Sequence, residues 1–259
     1  MPFSDYKTAL VTGASSGIGA AVVERFRREN IEVHAVARSA EALQQLAART
    51  GCTAHVIDVT DRQAMAELTR RVEFDILVNN AGVDRPKKFL EADEGDIDLI
   101  VDVNLRAVLH ICRLVVPGMV ARDRGHVINI SSIAGAYNFG GNSSYHATKA
   151  GVSMLSNQLR IDAFGKRVRV TEICPGRVAT DIFNHVHGDD PSIRERFIDG
   201  FELPQAADIA DAIAFAIAAP VAVNIGHMEI TPTLQVMGGL QTAKPQPAAK
   251  TDQSGEPNP

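Results

Sequence analysis

The sequence predicts an α/β domain: a parallel sheet with helices on both faces. Three observations carry this. Short apolar runs without polar alternation recur along the chain, as suits strands buried on both sides. Helical segments of about ten or more residues separate them, giving strand–helix–strand units with right-handed crossovers. With 259 residues, 45% of them hydrophobic and 22% charged, the chain can bury a substantial core.

Taken in order, residues 7–11 read as the first strand, followed by a glycine-rich turn and a helix over 18–29. Strand 31–36, helix 40–49, strand 53–57, helix 62–72 and strand 75–79 continue the alternation. The middle holds a long helix over 104–121, a strand over 126–130, a helix over 143–164 and a strand over 168–173 that Pro175-Gly176 ends. Residues 177–203 mix Gly, Asp, Pro and aromatics without a period, and a stretch of that length reads as a lid. Helix 206–219 and strand 228–230 complete the pattern. Residues 241–259 hold four of the twelve prolines and almost no bulky apolar side chain, so they read as a disordered tail. Residues 5–240 contain no internal repeat or linker and are read as one domain.

Net charge is −5, from 26 basic and 31 acidic residues, which argues against nucleic-acid binding. Cys52, Cys112 and Cys174 are odd in number and widely spaced, with no disulfide or zinc framework; they read as buried thiols in a reducing compartment. No apolar run reaches the roughly 18 residues of a membrane span. The polar start lacks a signal core, so a cytoplasmic location is expected.

The segment Thr12-Gly13-Ala14-Ser15-Ser16-Gly17-Ile18-Gly19 joins the first strand to the first helix. Glycines there permit positive φ and let a pyrophosphate approach the backbone, while the helix N-terminus offers free N–H groups. Gly13, Ser15, Ser16, Gly17, Ile18 and Gly19 are therefore candidate cofactor contacts. At the end of the second strand, an acidic residue would bind the ribose 2′-hydroxyl of NAD, and an Arg would pair with a 2′-phosphate. Arg38 stands there and no carboxylate does, which favours NADP(H) over NAD(H). The alternative is a solvated Arg38 and a site open to either cofactor. Asp58, with Val59 beside it, follows the third strand and is read as an adenine contact or a helix cap; Asp61 is the better cap.

Tyr145 and Lys149 share one face of a predicted helix. A free phenol has a pKa of about 10, and a neighbouring cation lowers it, which would suit the Tyr to exchange a proton with a carbonyl or alcohol. Ser131-Ser132 ends the preceding strand, where sites open in parallel sheets, and a hydroxyl there can orient a carbonyl.

Together with Asn79-Asn80-Ala81-Gly82, Asn104 and Pro175-Gly176, these motifs resemble the short-chain dehydrogenase/reductase family in order and spacing over about residues 5–240. The resemblance implies a single Rossmann domain with a seven-stranded parallel sheet. It assigns Tyr145 as general acid/base, Lys149 as the group that lowers its pKa and binds the nicotinamide ribose, and Ser132, rather than Ser131, as the carbonyl-orienting serine. Asn104 would hold a relay water; Asn80, Ala81 and Gly82 would line the adenosine side. Pro175, Gly176, Val178 and Thr180 would contact the nicotinamide end. Members are usually tetramers, so a homotetramer, or a homodimer, is implied.

The stretch 159–176, with Phe183, Val186, Gly188-Asp189-Asp190 and Thr231-Pro232-Thr233-x-Gln235, is similar to the NADP-dependent 3-hydroxy acid (serine-type) branch. That implies a semialdehyde or 3-hydroxy acid substrate bearing a carboxylate or sulfonate. Arg177 is the favoured anion contact, with Arg85 and Asn142 as further candidates near the substrate. His185 and His187 lack a matching ligand set, and no metal is expected. Two alternatives are a reductase of neutral aldehydes or ketones and a non-catalytic NADP(H)-sensing protein.

Overall fold

The computed structural model describes residues 2–85, 87–141, 143–180 and 198–245. Asn142, His185, His187, most of the expected lid and residues 246–259 of the expected tail lie outside the described residues.

Seven strands form one sheet: β1 Thr8–Thr12, β2 Glu32–Ala37, β3 Thr53–Val56, β4 Ile76–Asn79, β5 Gly125–Ile130, β6 Val168–Pro175 and β7 His227–Ile230. Their order is β3-β2-β1-β4-β5-β6-β7, and all neighbours are parallel. The helices are α1 Gly17–Arg28, α2 Ala40–Thr50, α3 Arg62–Arg71, α4 Glu94–Val101, α5 Ala107–Ala121, α6 Ser143–Asp162 and α7 Ala206–Ala218. Among the described residues, no helix is long and apolar enough to cross a membrane.

Alternate strand residues point to opposite faces, and both faces are buried. On one side Val11, Val33, Val78 and Ile128 pack with Val23 and Phe26 of α1, Leu43 of α2, and Ile209 and Ile213 of α7. On the other, Leu10, Leu77, Val127 and Val170 pack with Met65 of α3, Ile111 and Val115 of α5, and Val152 of α6. Burial on both sides is why these strands read as continuous apolar runs rather than as alternating ones.

A chain of hydrogen-bonded polar groups crosses this sandwich, although Asn79 Oδ1 and His126 Nδ1 are left without a hydrogen-bond partner. Asn79 donates to Asn129 (2.8 Å), and Asn129 donates to Ser156 of α6 (2.8 Å), tying β4, β5 and the helix together. Arg169 of β6, only 3% exposed, donates to the carbonyls of Ile217 (2.8 Å) and Ala219 (3.0 Å) at the end of α7 and to the Tyr6 hydroxyl (3.0 Å). A cation there suits the negative end of a helix.

The structure corrects two helices. The helix expected over 104–121 begins a decade earlier as α4, passes through a π turn at Asp102–Arg106 and continues as α5. Asp93 caps α4 by accepting from the Asp96 N–H (2.8 Å), and Glu94 and Asp96 favour the same end electrostatically. The helix expected to end at Phe164 stops at Asp162.

Candidate functional site

β1 and β4 lie side by side in the sheet, although two strands, β2 and β3, and the helices α1, α2 and α3 separate them in sequence. At this reversal of strand order, the loops leaving the carboxyl ends diverge and open a crevice. A cleft of about 390 Å³ occupies it.

One wall is the glycine turn: Gly13, Ser15, Ser16, Gly17 and Ile18 line the cleft. Gly13 has φ +64°, and a Cβ there would lie 2.7 Å from the Ala81 Cα. Gly19 lies behind the wall: a Cβ on it would overlap the Gly13 carbonyl oxygen, so only glycine lets α1 start this close to β1. Ser16 stands at the N-cap of α1 without a side-chain capping bond. The first-turn N–H groups are thus left facing the cleft without a side-chain cap, and a diphosphate fits that end of the helix.

Asn80 braces this turn. Its side-chain amide donates to the carbonyls of Thr12 (3.0 Å) and Gly13 (3.1 Å). The Thr12 hydroxyl in turn accepts the N–H groups of Asn80 (3.0 Å) and Ala81 (3.1 Å). Thr12, 1% exposed, is a hub that the sequence motif includes without revealing its role.

Arg38, Asp58, Val59, Ala81, Gly82, Arg85 and Thr180 also line the cleft. Arg38 is exposed and is followed by Ser39, whose hydroxyl caps α2 by accepting from Ala42 N–H (3.4 Å). Asp58 closes a local turn, accepting from the N–H (2.9 Å) and hydroxyl (2.8 Å) of Thr60. Asp61, not Asp58, caps α3.

The cleft reaches Gly82 and Asp84, and the reactive side chains adjoin it there. A Cβ on Gly82 would stand 3.8 Å from the Lys149 Nζ and 3.5 Å from the Asn104 Oδ1. Asn104 lies in the π turn, and its amide engages both backbone groups of Val83: Oδ1 accepts the N–H and Nδ2 donates to the carbonyl, each at 2.8 Å. Lys149 is 5% exposed, donates to the Ile130 carbonyl (2.9 Å) and sits 5.5 Å from the Tyr145 ring centre.

The two serines have different surroundings. Ser131 is buried and donates to the Lys149 carbonyl (3.0 Å), holding α6 against β5. Ser132 is extended (φ −170°), accepts the Ala134 N–H (3.1 Å) and hydrogen-bonds the Tyr145 phenol. Ser132 therefore reaches Tyr145, while Ser131 supports the helix.

Burial sets the electrostatics. It pushes the Tyr145 phenol above its ordinary value, the nearby Asp84 carboxylate adds to this, and the Ser132 hydrogen bond opposes it. Burial lowers Lys149 to about 8. In this pocket desolvation is the largest influence on the phenol, and it favours the protonated form. Asp84 is a site residue that sequence reasoning missed; an acid two positions after Gly82 carried the signal.

The nicotinamide-end candidates lie where β6 stops. Pro175 pairs with Ile230, the Gly176 N–H donates to the Ile230 carbonyl (2.8 Å), and Val178 is buried. Arg177 does not open onto free solvent: it is 8% exposed, donates to the Leu240 carbonyl (2.9 Å) and stacks 5.2 Å from the Phe201 ring. Its backbone N–H donates to Gln235 (3.1 Å). Arg85 donates to the Asp84 carbonyl (3.1 Å) and lies 3.6 Å from Asp96 of α4.

Comparison with known proteins identifies the family and agrees with the fold. The family model described as short chain dehydrogenase matches residues 7–190. An uncharacterized short-chain type dehydrogenase/reductase, y4eK, of Sinorhizobium fredii is 36% identical over 94% of this chain and 98% of its own length. The NADP-dependent 3-hydroxy acid dehydrogenase YdfG of Escherichia coli is 36% identical over 89% of this chain and 97% of its own. Among solved structures, the closed form of serine dehydrogenase complexed with NADP+ is similar at 35% identity and TM-score 0.85, covering 92% of this chain and all of that one.

The burial of Lys149 has a measurable consequence. The folded chain releases its proton near pH 8, whereas an unfolded lysine keeps it to about 10.5. Between these values the unfolded state binds more protons, so stability rises with pH. The wild-type chain should gain about 2–3 kcal/mol relative to Lys149→Met across this window. Urea midpoints of both proteins below pH 8 and near pH 10.5 check it; a pH-independent difference would contradict the buried-amine assignment.

Proposed function

The chain belongs to the short-chain dehydrogenase family, and from that premise we propose that it is an NADP(H)-dependent oxidoreductase acting on a small carbonyl or alcohol. The observation that carries this reading is the meeting, at one crevice, of an uncapped helix N-terminus behind a glycine turn and the Ser132, Tyr145 and Lys149 group. The relatives named for NADP support the choice of cofactor. So do Arg38 and Ser39 at the end of β2, where a guanidinium and a hydroxyl suit a 2′-phosphate and no carboxylate competes.

The residues fit a dinucleotide. Gly13, Ser15, Ser16, Gly17 and Ile18 would hold its diphosphate against α1, and Asp58, Val59, Ala81 and Gly82 its adenosine half. Pro175, Gly176, Val178 and Thr180 would meet the nicotinamide end. When bound, the cofactor supplies or accepts the hydride.

The protein's own part is proton transfer and orientation. Tyr145 gives a proton to the carbonyl oxygen in reduction and takes it back in oxidation. Its raised pKa keeps it protonated, as an acid for reduction must be. Ser132 holds the same oxygen through its hydroxyl. Lys149, with a pKa of about 8, is mostly charged at neutrality and stabilises phenolate when it forms. Asn104 pins Val83 and so fixes the segment beside Lys149; the relay water expected at Asn104 would have to share an amide already bonded to Val83.

The finer reading is a semialdehyde or 3-hydroxy acid bearing a carboxylate or sulfonate. The names of the similar dehydrogenases support it, as does a desolvated guanidinium, Arg177, two residues past the end of β6. To bind an anion, Arg177 would exchange its Leu240 bond for the substrate. A homotetramer in the cytoplasm completes the proposal: Leu109 and Leu114 of α5 and Met154 and Ile161 of α6 are exposed apolar side chains suited to a neighbouring copy.

Four measurements test this. Tyr145→Phe should bind NADPH normally and lose turnover on the order of 100-fold or more; near-normal turnover would remove Tyr145 from its role. Arg38→Ala should weaken NADPH binding far more than NADH binding, and equal weakening would show that Arg38 does not meet the 2′-phosphate. A panel of anionic semialdehydes and neutral aldehydes of equal length, assayed with NADPH, should favour the anions. In Arg177→Met the KM for the anions should rise roughly 10-fold or more, the size of a lost charged hydrogen bond, with that for neutral aldehydes little changed. A parallel rise for both would make Arg177 purely a clamp.

A further inference from the structure

Behind the reactive group, the edge of the sheet gathers ligand-type side chains from distant parts of the sequence. Glu172 and Cys174 are two residues apart on β6, so they face the same side; His227 and Glu229 repeat this on β7. The register pairs Glu172 with His227 and Cys174 with Glu229. Four adjacent positions on one face of two strands thus carry Glu, Cys, His and Glu.

Three of them converge. The His227 Nδ1 is 3.1 Å from Glu172 Oε2, the Cys174 Sγ is 3.1 Å from Glu172 Oε1, and Sγ and Nδ1 are 3.8 Å apart. Glu172 and Cys174 are buried, while the His227 side chain is 49% exposed, which leaves an approach from solvent. We propose that this cluster binds a thiophilic divalent ion of the zinc type through Cys174, His227 and Glu172, with a fourth position open to water.

The distances fit. Tetrahedral zinc with bonds of about 2.0–2.3 Å holds its ligand atoms roughly 3.3–3.6 Å apart; Sγ and Nδ1 stand 3.8 Å apart, and each lies 3.1 Å from a different Glu172 oxygen, so a small side-chain adjustment would bring one oxygen, Sγ and Nδ1 around an ion. The ligand types fit as well: thiolate, imidazole and carboxylate together select zinc-like ions over magnesium or calcium. In the metal-free form hydrogen bonds fill the place of the ion. Cysteine ligates as the thiolate, so metal uptake would displace the proton on the Cys174 sulfur.

The site adjoins the reactive helix. Ser153 of α6 donates to Glu172, and its hydroxyl also lies 3.1 Å from the Lys149 carbonyl and 3.2 Å from Ser131. An ion on Glu172 competes for the acceptor that anchors Ser153, one turn from Lys149.

The test uses cobalt(II) as a spectroscopic probe on the full-length, metal-free protein. The expected result is one cobalt bound per chain with a thiolate-to-cobalt charge-transfer band, displaced by zinc. Cys174→Ser should abolish the band, and His227→Gln should weaken cobalt binding roughly tenfold or more, as loss of even an outer-shell partner does. Because His227 is half exposed, His227→Gln is the variant least able to disturb the fold; thermal unfolding without metal should match the wild type. Absence of the band at equimolar cobalt, or a band undiminished in Cys174→Ser, overturns the proposal.

Discussion

The close approach of α1 to the end of β1 is the constraint on which the rest of the site depends. Gly19 can lie against the Gly13 carbonyl only because it has no Cβ, and Gly13 can turn back only at positive φ. Asn80 and Thr12 then knit that turn to the loop after β4, with four hydrogen bonds between neighbouring strands. A helix start placed elsewhere would lose both its aim into the crevice and the wall that Ala81 and Gly82 provide. The glycine spacing is therefore a packing requirement as much as a binding one.

A second network carries position from the core to the reactive side chains. Asn79, Asn129 and Ser156 run across β4 and β5 into α6, and Ser131 adds a bond to the Lys149 carbonyl. Buried polar chains of this kind are costly unless every member is paired, and when paired they fix one arrangement. Here they set the height of α6 on the sheet, and so set where Tyr145 and Lys149 stand relative to Ser132. The π turn at Asp102–Arg106 does the same from the other side, turning Asn104 inward to hold Val83. The π turn from one side and α6 from the other thus converge on one short loop.

Much of this was legible in the sequence because it is local. Strands covered on both faces read as apolar runs, the glycine turn lies between adjacent elements, and Tyr145 and Lys149 are a helical turn apart. What escaped the sequence depends on register or on competing local signals. α4 was missed because its acidic first turn masks the apolar run Ile97 to Val101, although Asp93 and Asp96 supplied a capping signal. Glu172 and His227 stand 55 positions apart and meet only through the pairing of β6 with β7. Arg177 read as a free cation because its partner, the Leu240 carbonyl, lies 63 positions later and has no side-chain signature. The burial of the phenol was likewise hidden, since the spacing reveals the nearby cation and not the desolvation around the ring.

The segment after β7 has a bearing on where this protein can be cut. All seven strands are in place by Ile230, and among the described residues neither hydrophobic cluster includes a residue beyond it. Yet Gln235 accepts the Arg177 N–H and packs on Gly176, and Leu240 holds the Arg177 guanidinium. A chain trimmed at the last strand would keep its sheet and lose the support under the loop that leaves β6. The smallest piece able to fold and the smallest piece able to hold its reactive loop in shape are thus of different lengths, and sequence drift after residue 230 is constrained by the loop rather than by the core.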